Sequence, residues 1–379
     1  MMSVNNDVDT LLRKEIHHLP NYDSGLEPEK LKTRFNLENI IKLSTNENPL
    51  GISPKVLDYL NDHVNVLGQY PDPESKVLKQ KLAEKLGVKT AQIVIGNGSE
   101  NILEMLCQTF LNQGDQVITQ SPCFGLYEIF PLMMGAKIHK VLNDDSFKVD
   151  LDTWLYALKQ FTPVKMLLLS NPSNPAGNIF SQTQLLQLIQ TLSDDTLLVL
   201  DEAYYEYAVA NDAYPADSIS LLQEHAGCPW IVLRTFSKAY ALAGLRVGYG
   251  IASDLKIIEA LNKVRTPYNI NFLAQKAAEA AMDDADFLQK SVKHVLHERE
   301  KLQSSLSRQR VFYVPSDANF LFIKTNKLAT EISGELNKNG IIVKPWKERG
   351  YENYMRVSIG LEKENKIFEE TFFRIINML

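Results

Sequence analysis

The sequence predicts an α/β fold: a large domain with a mainly parallel central sheet flanked by helices, plus a smaller α+β domain. Three observations carry this. Short apolar runs alternate with helical patterns from about residue 90 to 250. Two of those runs, in "KMLLLSNPSNPAG" and "TLLVLDEAYYEY", are apolar throughout, as strands buried on both faces are. After about residue 280 the rhythm changes to a long amphipathic helix and scattered short strands.

In order, residues 1–45 read as an N-terminal arm and helix packing with the smaller domain. Residues 46–280 form the large domain. There "AQIVIGNGSE" reads as a strand ending in a glycine turn, and "ENILEMLCQTFL" as a helix. "DQVITQSP" is a strand, "GLYEIFPLMMG" a helix and "AKIHKVL" a strand. "KMLLLS", "TLLVLDE", "PWIVLRT" and "LRVGYGIAS" continue the βαβ rhythm. Residues 281–379 form the smaller domain. It opens with the helix "ADFLQKSVKHVLHEREKLQSSLSRQ", followed by "NFLFIKT", the helix "LATEISGELNKNG", the strands "IIVKPW" and "YMRVSIG", and a closing helix.

The 379 residues, 45% apolar, suffice for a large core. With 40 Lys+Arg against 46 Asp+Glu, the formal charge of −6 argues against a nucleic-acid binder. Three cysteines without CxxC spacing predict neither a disulfide framework nor a structural zinc site. His17, His18, His63, His139, His225, His294 and His297 show no HExxH or other metal spacing, so no metal is expected. The N-terminus lacks the apolar core of a secretory signal, and no run is long enough to span a membrane. The expectation is a cytoplasmic protein.

Ligands in open α/β sheets bind outside the carboxyl ends of the strands, so the residues after each strand are the candidates. After "IVI" comes "GNGSEN", whose Gly98, Ser99 and Glu100 open a helix and expose backbone N–H groups suited to a phosphate. An ordinary capped turn would read the same. After "MLLLS" comes "NPSNPAGN", a rigid loop carrying Asn174, though Asn and Pro also make plain turns. After "LLVL" come Asp201 and Tyr204. A carboxylate there needs a cationic or hydrogen-bonding partner, or serves as a helix cap.

After "IVL" comes "RTFSKAYALAGLRVGYG", with Lys238 among small and apolar residues. Lysine is strongly hydrated and rarely buried unless paired. Each feature alone is weak, but together they describe a pyridoxal 5'-phosphate site. Lys238 would form the Schiff base, since a desolvated lysine has a lowered pKa. Asp201 would face the protonated ring nitrogen, and the glycine turn, Ser237 and Arg246 would grip the phosphate.

The chain resembles the fold-type I pyridoxal-phosphate aminotransferases, most closely the histidinol-phosphate aminotransferase family. The motifs "LSTNENPLGISP", "YPDPES", "GNGSEN", "SNPSNPAG", "VLDEAYYEY", "RTFSKAYALAGLRVGYG" and "YMRVSIG" carry the resemblance nearly end to end. It implies that Lys238 is the Schiff-base lysine and the later proton carrier. Asp201 contacts the ring nitrogen, while Asn174 and Tyr204 contact the phenolic oxygen. Backbone groups of Gly98, Ser99 and Glu100, with Thr235, Ser237 and Arg246, surround the phosphate.

Phe124 stands where the family usually has a Tyr stacked on the ring. The resemblance implies that Tyr70 reaches the cofactor phosphate of the other subunit in a homodimer. The resemblance also implies that Tyr22, Asn46, Asn174, Lys344 and Arg356 bind the substrate. The implied reaction is ping-pong transamination in histidine biosynthesis. L-histidinol phosphate and 2-oxoglutarate give imidazole acetol phosphate and L-glutamate.

One departure bears on specificity. The family's arginine in "IIVR" is here Lys344 in "GIIVKPWKERGY", which keeps the charge and loses the bidentate fork. Trp346 beside it adds an aromatic surface that suits an indole, phenyl or imidazole ring. An aromatic amino-acid transaminase of the same fold is therefore the alternative. A pyridoxal-phosphate decarboxylase acting on a phosphorylated amino acid would need the same cofactor residues.

Overall fold

The computed structural model describes residues 8–142 and 144–378, so the first residues of the expected arm lie outside it. Strand β1 (Ile41–Lys42) precedes the central sheet. That sheet takes β2 (Ile93–Gly96), β3 (Gln116–Ser121), β4 (Lys137–Leu142), β5 (Val164–Ser170), β6 (Leu197–Asp201), β7 (Trp230–Thr235) and β8 (Gly248–Ala252). The later chain supplies β9 (Tyr313–Val314), β10 (Phe320–Lys324), β11 (Ile341–Ile342), β12 (Lys344–Pro345) and β13 (Tyr354–Ser358).

The seven-stranded sheet has the order β2-β8-β7-β6-β5-β3-β4. It is parallel from β7 through β4, and β8 runs antiparallel to both its neighbours. A parallel return needs a crossover, usually a helix. Residues 236–247 hold only the short turn Ala243–Leu245, so β8 folds straight back beside β7. That loop carries Lys238.

The apolar strand runs are explained by burial on both faces. Ile93, Ile95, Leu167, Leu169, Leu198, Leu200 and Val232 pack into one core with helix Gln182–Ile189. Their neighbours Val94, Met166, Leu168, Leu197, Val199, Ile231 and Leu233 pack into another, under helices Ser99–Phe110 and Leu255–Val264. The strand period of two sends alternate residues to opposite faces, and helices cover both.

A third core joins helices Ala285–Arg308 and Glu362–Met378 to β10 and β13, through Val295, Leu302, Phe320, Leu321, Met355, Val357, Phe368 and Phe372. Leu43, Tyr204 and Ala239 belong to it as well, which ties it to the mouth of the large sheet. The second sheet has the order β12-β13-β10-β9. The stretch "IIVKPW", expected as one strand, divides at Val343. β11 pairs in parallel with β1, and β12 pairs antiparallel with β13. Pro345 has no N–H to give a ladder, and β12 accordingly lies at the sheet edge. The pairing of β1 with β11 brings the N-terminal segment onto the C-terminal part of the chain. Among the described residues no helix is long and apolar enough to cross a membrane.

Candidate active site

The carboxyl ends of the central strands are in register. Ser170 is opposite Asp201, and Gly248 is opposite both Thr235 and Gly96. A cavity of about 500 Å³ opens beside these ends. Tyr22, Asn46, Ser99, Glu100, Phe124, Asn174, Asp201, Tyr204, Thr235, Ser237, Lys238, Arg246 and Arg356 all line it. Gly98, next to Ser99, is not among the lining residues. Lys344 and Tyr70 lie elsewhere.

At one end, helix Ser99–Phe110 presents its N-terminus, preceded by Gly98 at φ +80°. A Cβ on Gly98 would collide with Arg246 Nη2, and one on Gly248 with the Ser99 N–H. Glycine at both positions lets the guanidinium and the helix N-terminus close on one spot. Arg246 donates to Glu100 Oε1 at 2.6 Å and to Ser237 Oγ at 3.4 Å. Thr235 Oγ donates to Ser237 Oγ at 3.0 Å. Backbone donors, two hydroxyls and a guanidinium at a helix N-terminus form an anion cradle.

Deeper in the cavity, Lys238 Nζ donates to the Thr45 carbonyl at 3.2 Å and stands 5.9 Å from the Tyr204 ring centroid. Burial, with repulsion from Arg356, brings its ammonium down to about 8. Burial also raises the Asp201 carboxyl to about 6, against hydrogen bonds from Tyr127 and the Ala203 N–H. Tyr127 Oη donates to Asp201 Oδ2 at 2.7 Å. The next residue, Glu202, faces the other way and pairs with buried Arg234 at 2.8 Å.

Tyr204 accepts from Asn46 Nδ2 at 2.9 Å, and burial raises its hydroxyl to about 12. Arg356 donates to Asn174 Oδ1 and to the Ser44 carbonyl, both at 2.6 Å, while its buried Nε has no partner among the described residues. Phe124 meets Tyr22 edge-on, with ring centroids 6.0 Å apart.

A second cavity of about 490 Å³ adjoins the first and shares Tyr22, Phe124 and Arg356 with it. Lys344 and Trp346 line it. Lys344 Nζ donates to the Asp23 carbonyl at 2.7 Å and lies 3.0 Å from Asp23 Oδ1. Tyr70 is 81% exposed and stacks on Tyr268 with centroids 4.6 Å apart, away from this chain's cavity. Among the described residues Cys123, Glu128 and Glu348 form a cluster of metal-ligand type. Lys140 Nζ already sits 2.6 and 2.9 Å from its two carboxylates, so a cation is in place.

Tyr127, Thr45 and Asp23 were not singled out from the sequence. Tyr127, in the first turn of helix Leu126–Met133, comes three positions after Phe124 and meets its ring edge-on at 5.8 Å. That spacing was the available signal. Thr45 acts through its carbonyl, which no residue type announces.

The residues present fit a pyridoxal phosphate. The site offers an amine brought toward neutrality, a part-buried carboxylate held by two hydrogen bonds, an anion cradle, and an aromatic side chain on the cavity wall. The buried Arg356 Nε adds a donor with no partner among the described residues.

Comparison with known proteins agrees. The family model for aminotransferase class I and II matches residues 38–368. The chain is 41% identical over 357 residues to histidinol-phosphate aminotransferase 3 of Rhizobium meliloti, covering 94% of this chain and 95% of the relative. It is 41% identical over 358 residues to histidinol-phosphate aminotransferase 1 of Mesorhizobium japonicum, covering 94% and 96%. Its fold is similar to the crystal structure of the Sinorhizobium meliloti histidinol-phosphate aminotransferase in complex with pyridoxal-5'-phosphate, with a TM-score of 0.88, 27% identity and full coverage of both chains. The chain is an α/β enzyme of the transaminase type and belongs to the class I and II aminotransferases.

Proposed function

We propose that this chain binds pyridoxal 5'-phosphate in the first cavity and transfers the amino group of histidinol phosphate to 2-oxoglutarate, as a cytoplasmic homodimer. The observation that carries the chemistry is the convergence of Lys238, Asp201 and the Gly98–Arg246 cradle on one cavity. The relatives' names carry the substrate. When bound, the cofactor supplies an electron sink for the pair left at the substrate's Cα.

The chain's own residues do the rest. Gly98, Ser99 and Glu100 backbone groups, with Thr235, Ser237 and Arg246, hold the phosphate. Asp201, fixed by Tyr127 and the Ala203 N–H, presents its carboxylate to the ring nitrogen. Phe124 offers a ring face, and Asn174 and Tyr204 offer polar groups to the phenolic oxygen. Lys238 Nζ, neutral above about pH 8, is the group that takes and returns the proton at Cα.

Tyr22, Asn46, Lys344 and Arg356 orient the substrate. Tyr22 and Arg356 line both cavities, so a donor held in the first can extend a substituent of its Cα, the phosphomethyl arm in histidinol phosphate, into the second toward Lys344.

A second reading, an aromatic amino-acid transaminase, is favoured by Trp346, Phe124 and Ile129 lining that second cavity. Mixing the cofactor-loaded enzyme with single donors separates the two. Rapid conversion of the visible pyridoxal band to the pyridoxamine form by histidinol phosphate supports the proposal. Conversion by phenylalanine or tyrosine, but not by histidinol phosphate, overturns the substrate assignment.

A further inference from the structure

Lys344 and Arg356 are cross-strand partners on β12 and β13. Like charges directly opposite in an antiparallel pair repel, so an anion between or beside them is favoured. In this chain the anion is internal. Asp23 places a carboxylate oxygen 3.0 Å from Lys344 Nζ and another 2.9 Å from Lys347 Nζ. Its own turn is fixed by the Gly25 N–H, which donates to Asp23 Oδ1 at 2.9 Å. Partial burial works against the charge, but hydrogen bonds from Lys347 and Lys344 outweigh it, and the carboxyl stays far below the usual range. Asp23 is therefore ionised wherever the enzyme works.

The segment carrying Asp23 also carries Tyr22, and both line the second cavity with Lys344, Trp346, Lys347 and Arg356. We infer that Asp23 is a specificity-determining residue: it occupies Lys344 as a built-in anion, and a donor's terminal group must displace it. This rests on the reading that a substituent of the donor's Cα enters the second cavity. A phosphate monoester, carrying nearly two charges, competes for the lysines better than a singly charged group. A neutral aromatic side chain leaves the Asp23 pairs intact and packs against Trp346. Asp23 thus lowers the affinity for every anionic terminus and spares the aromatic ones. An arginine at position 344 would hold an anion by two parallel hydrogen bonds. Lysine offers a point charge, which one carboxylate can largely occupy.

The test is calorimetric titration of inorganic phosphate into the cofactor-loaded enzyme, where the cofactor already fills the cradle at Arg246. Asp23→Asn keeps the Oδ1 acceptor for the Gly25 turn and removes the charge. It is expected to tighten phosphate about tenfold, as losing one like charge a few ångströms away implies. Asp23→Glu restores the anion and should return the affinity toward that of the unaltered enzyme. Adding Lys344→Ala to Asp23→Asn should erase the gain.

Unchanged or weaker phosphate binding by Asp23→Asn overturns the inference, since Asp23 would then be organising the lysines. A gain that survives Lys344→Ala overturns it too. Failure of the functional reading looks different. Neither the unaltered enzyme nor Asp23→Asn would convert histidinol phosphate, while the phosphate titration would still decide the role of Asp23.

Discussion

Burial strips hydration from the Lys238 ammonium, and Arg356 adds like charge, so this amine loses its proton near pH 8. Only the neutral amine attacks a carbonyl. Capture of pyridoxal phosphate by the cofactor-free protein should therefore speed up as pH rises and level off above about 8, followed by stopped-flow absorbance. A profile still climbing at about pH 10, the ordinary lysine range, would contradict the assigned environment. The same shift has a consequence for stability. The unfolded chain binds more protons than the folded one between these values, so this group's contribution to stability rises with pH across that window.

Lys238 was legible in the sequence because apolar neighbours make a lysine conspicuous. Tyr127 was not, because a tyrosine on an apolar helix face reads as core. Asp23 was not, because its bond to Lys344 spans 321 positions.

At the scale of elements, the strands buried on both faces were readable from their unbroken apolar runs, and the residues following them fell around one cavity. The direction of β8 was not readable. It depends on how short a crossover the loop around Lys238 provides, and an apolar run has the same composition in either direction. The split of "IIVKPW" also escaped, although Pro345 contained the reason.

The segment around Tyr70 has its own logic. Val64, Leu67 and Tyr70 are exposed together with Val264 and Tyr268, and Tyr70 does not line its own chain's cavity. In the proposed dimer this surface is covered and Tyr70 serves the neighbouring site. The protein should sediment as a dimer, and Tyr70→Ala should weaken cofactor binding about tenfold in equilibrium dialysis, the scale of one hydrogen bond to a charged group. A fully active monomer would contradict it.

Across the whole molecule, the cavity is assembled from three stretches that meet nowhere in sequence. These are the N-terminal segment with Tyr22 and Asn46, the strand ends of the central sheet, and β13 with Arg356. The third core binds them, since Leu43, Tyr204, Ala239 and Val357 pack in it together. Motifs mark which residues take part, but packing decides how they meet. That is why the members of the site were largely readable, while the Asn46–Tyr204 bond and the Arg356 contacts were not.

The central claim is that Lys238 is the amine that holds the cofactor. Borohydride reduction of the cofactor-loaded enzyme, followed by digestion and mass spectrometry, tests it most directly. A phosphopyridoxyl group on the peptide containing Lys238, and on no other lysine, is the predicted result. A label on a different lysine, or none on an enzyme that still transaminates, would contradict it.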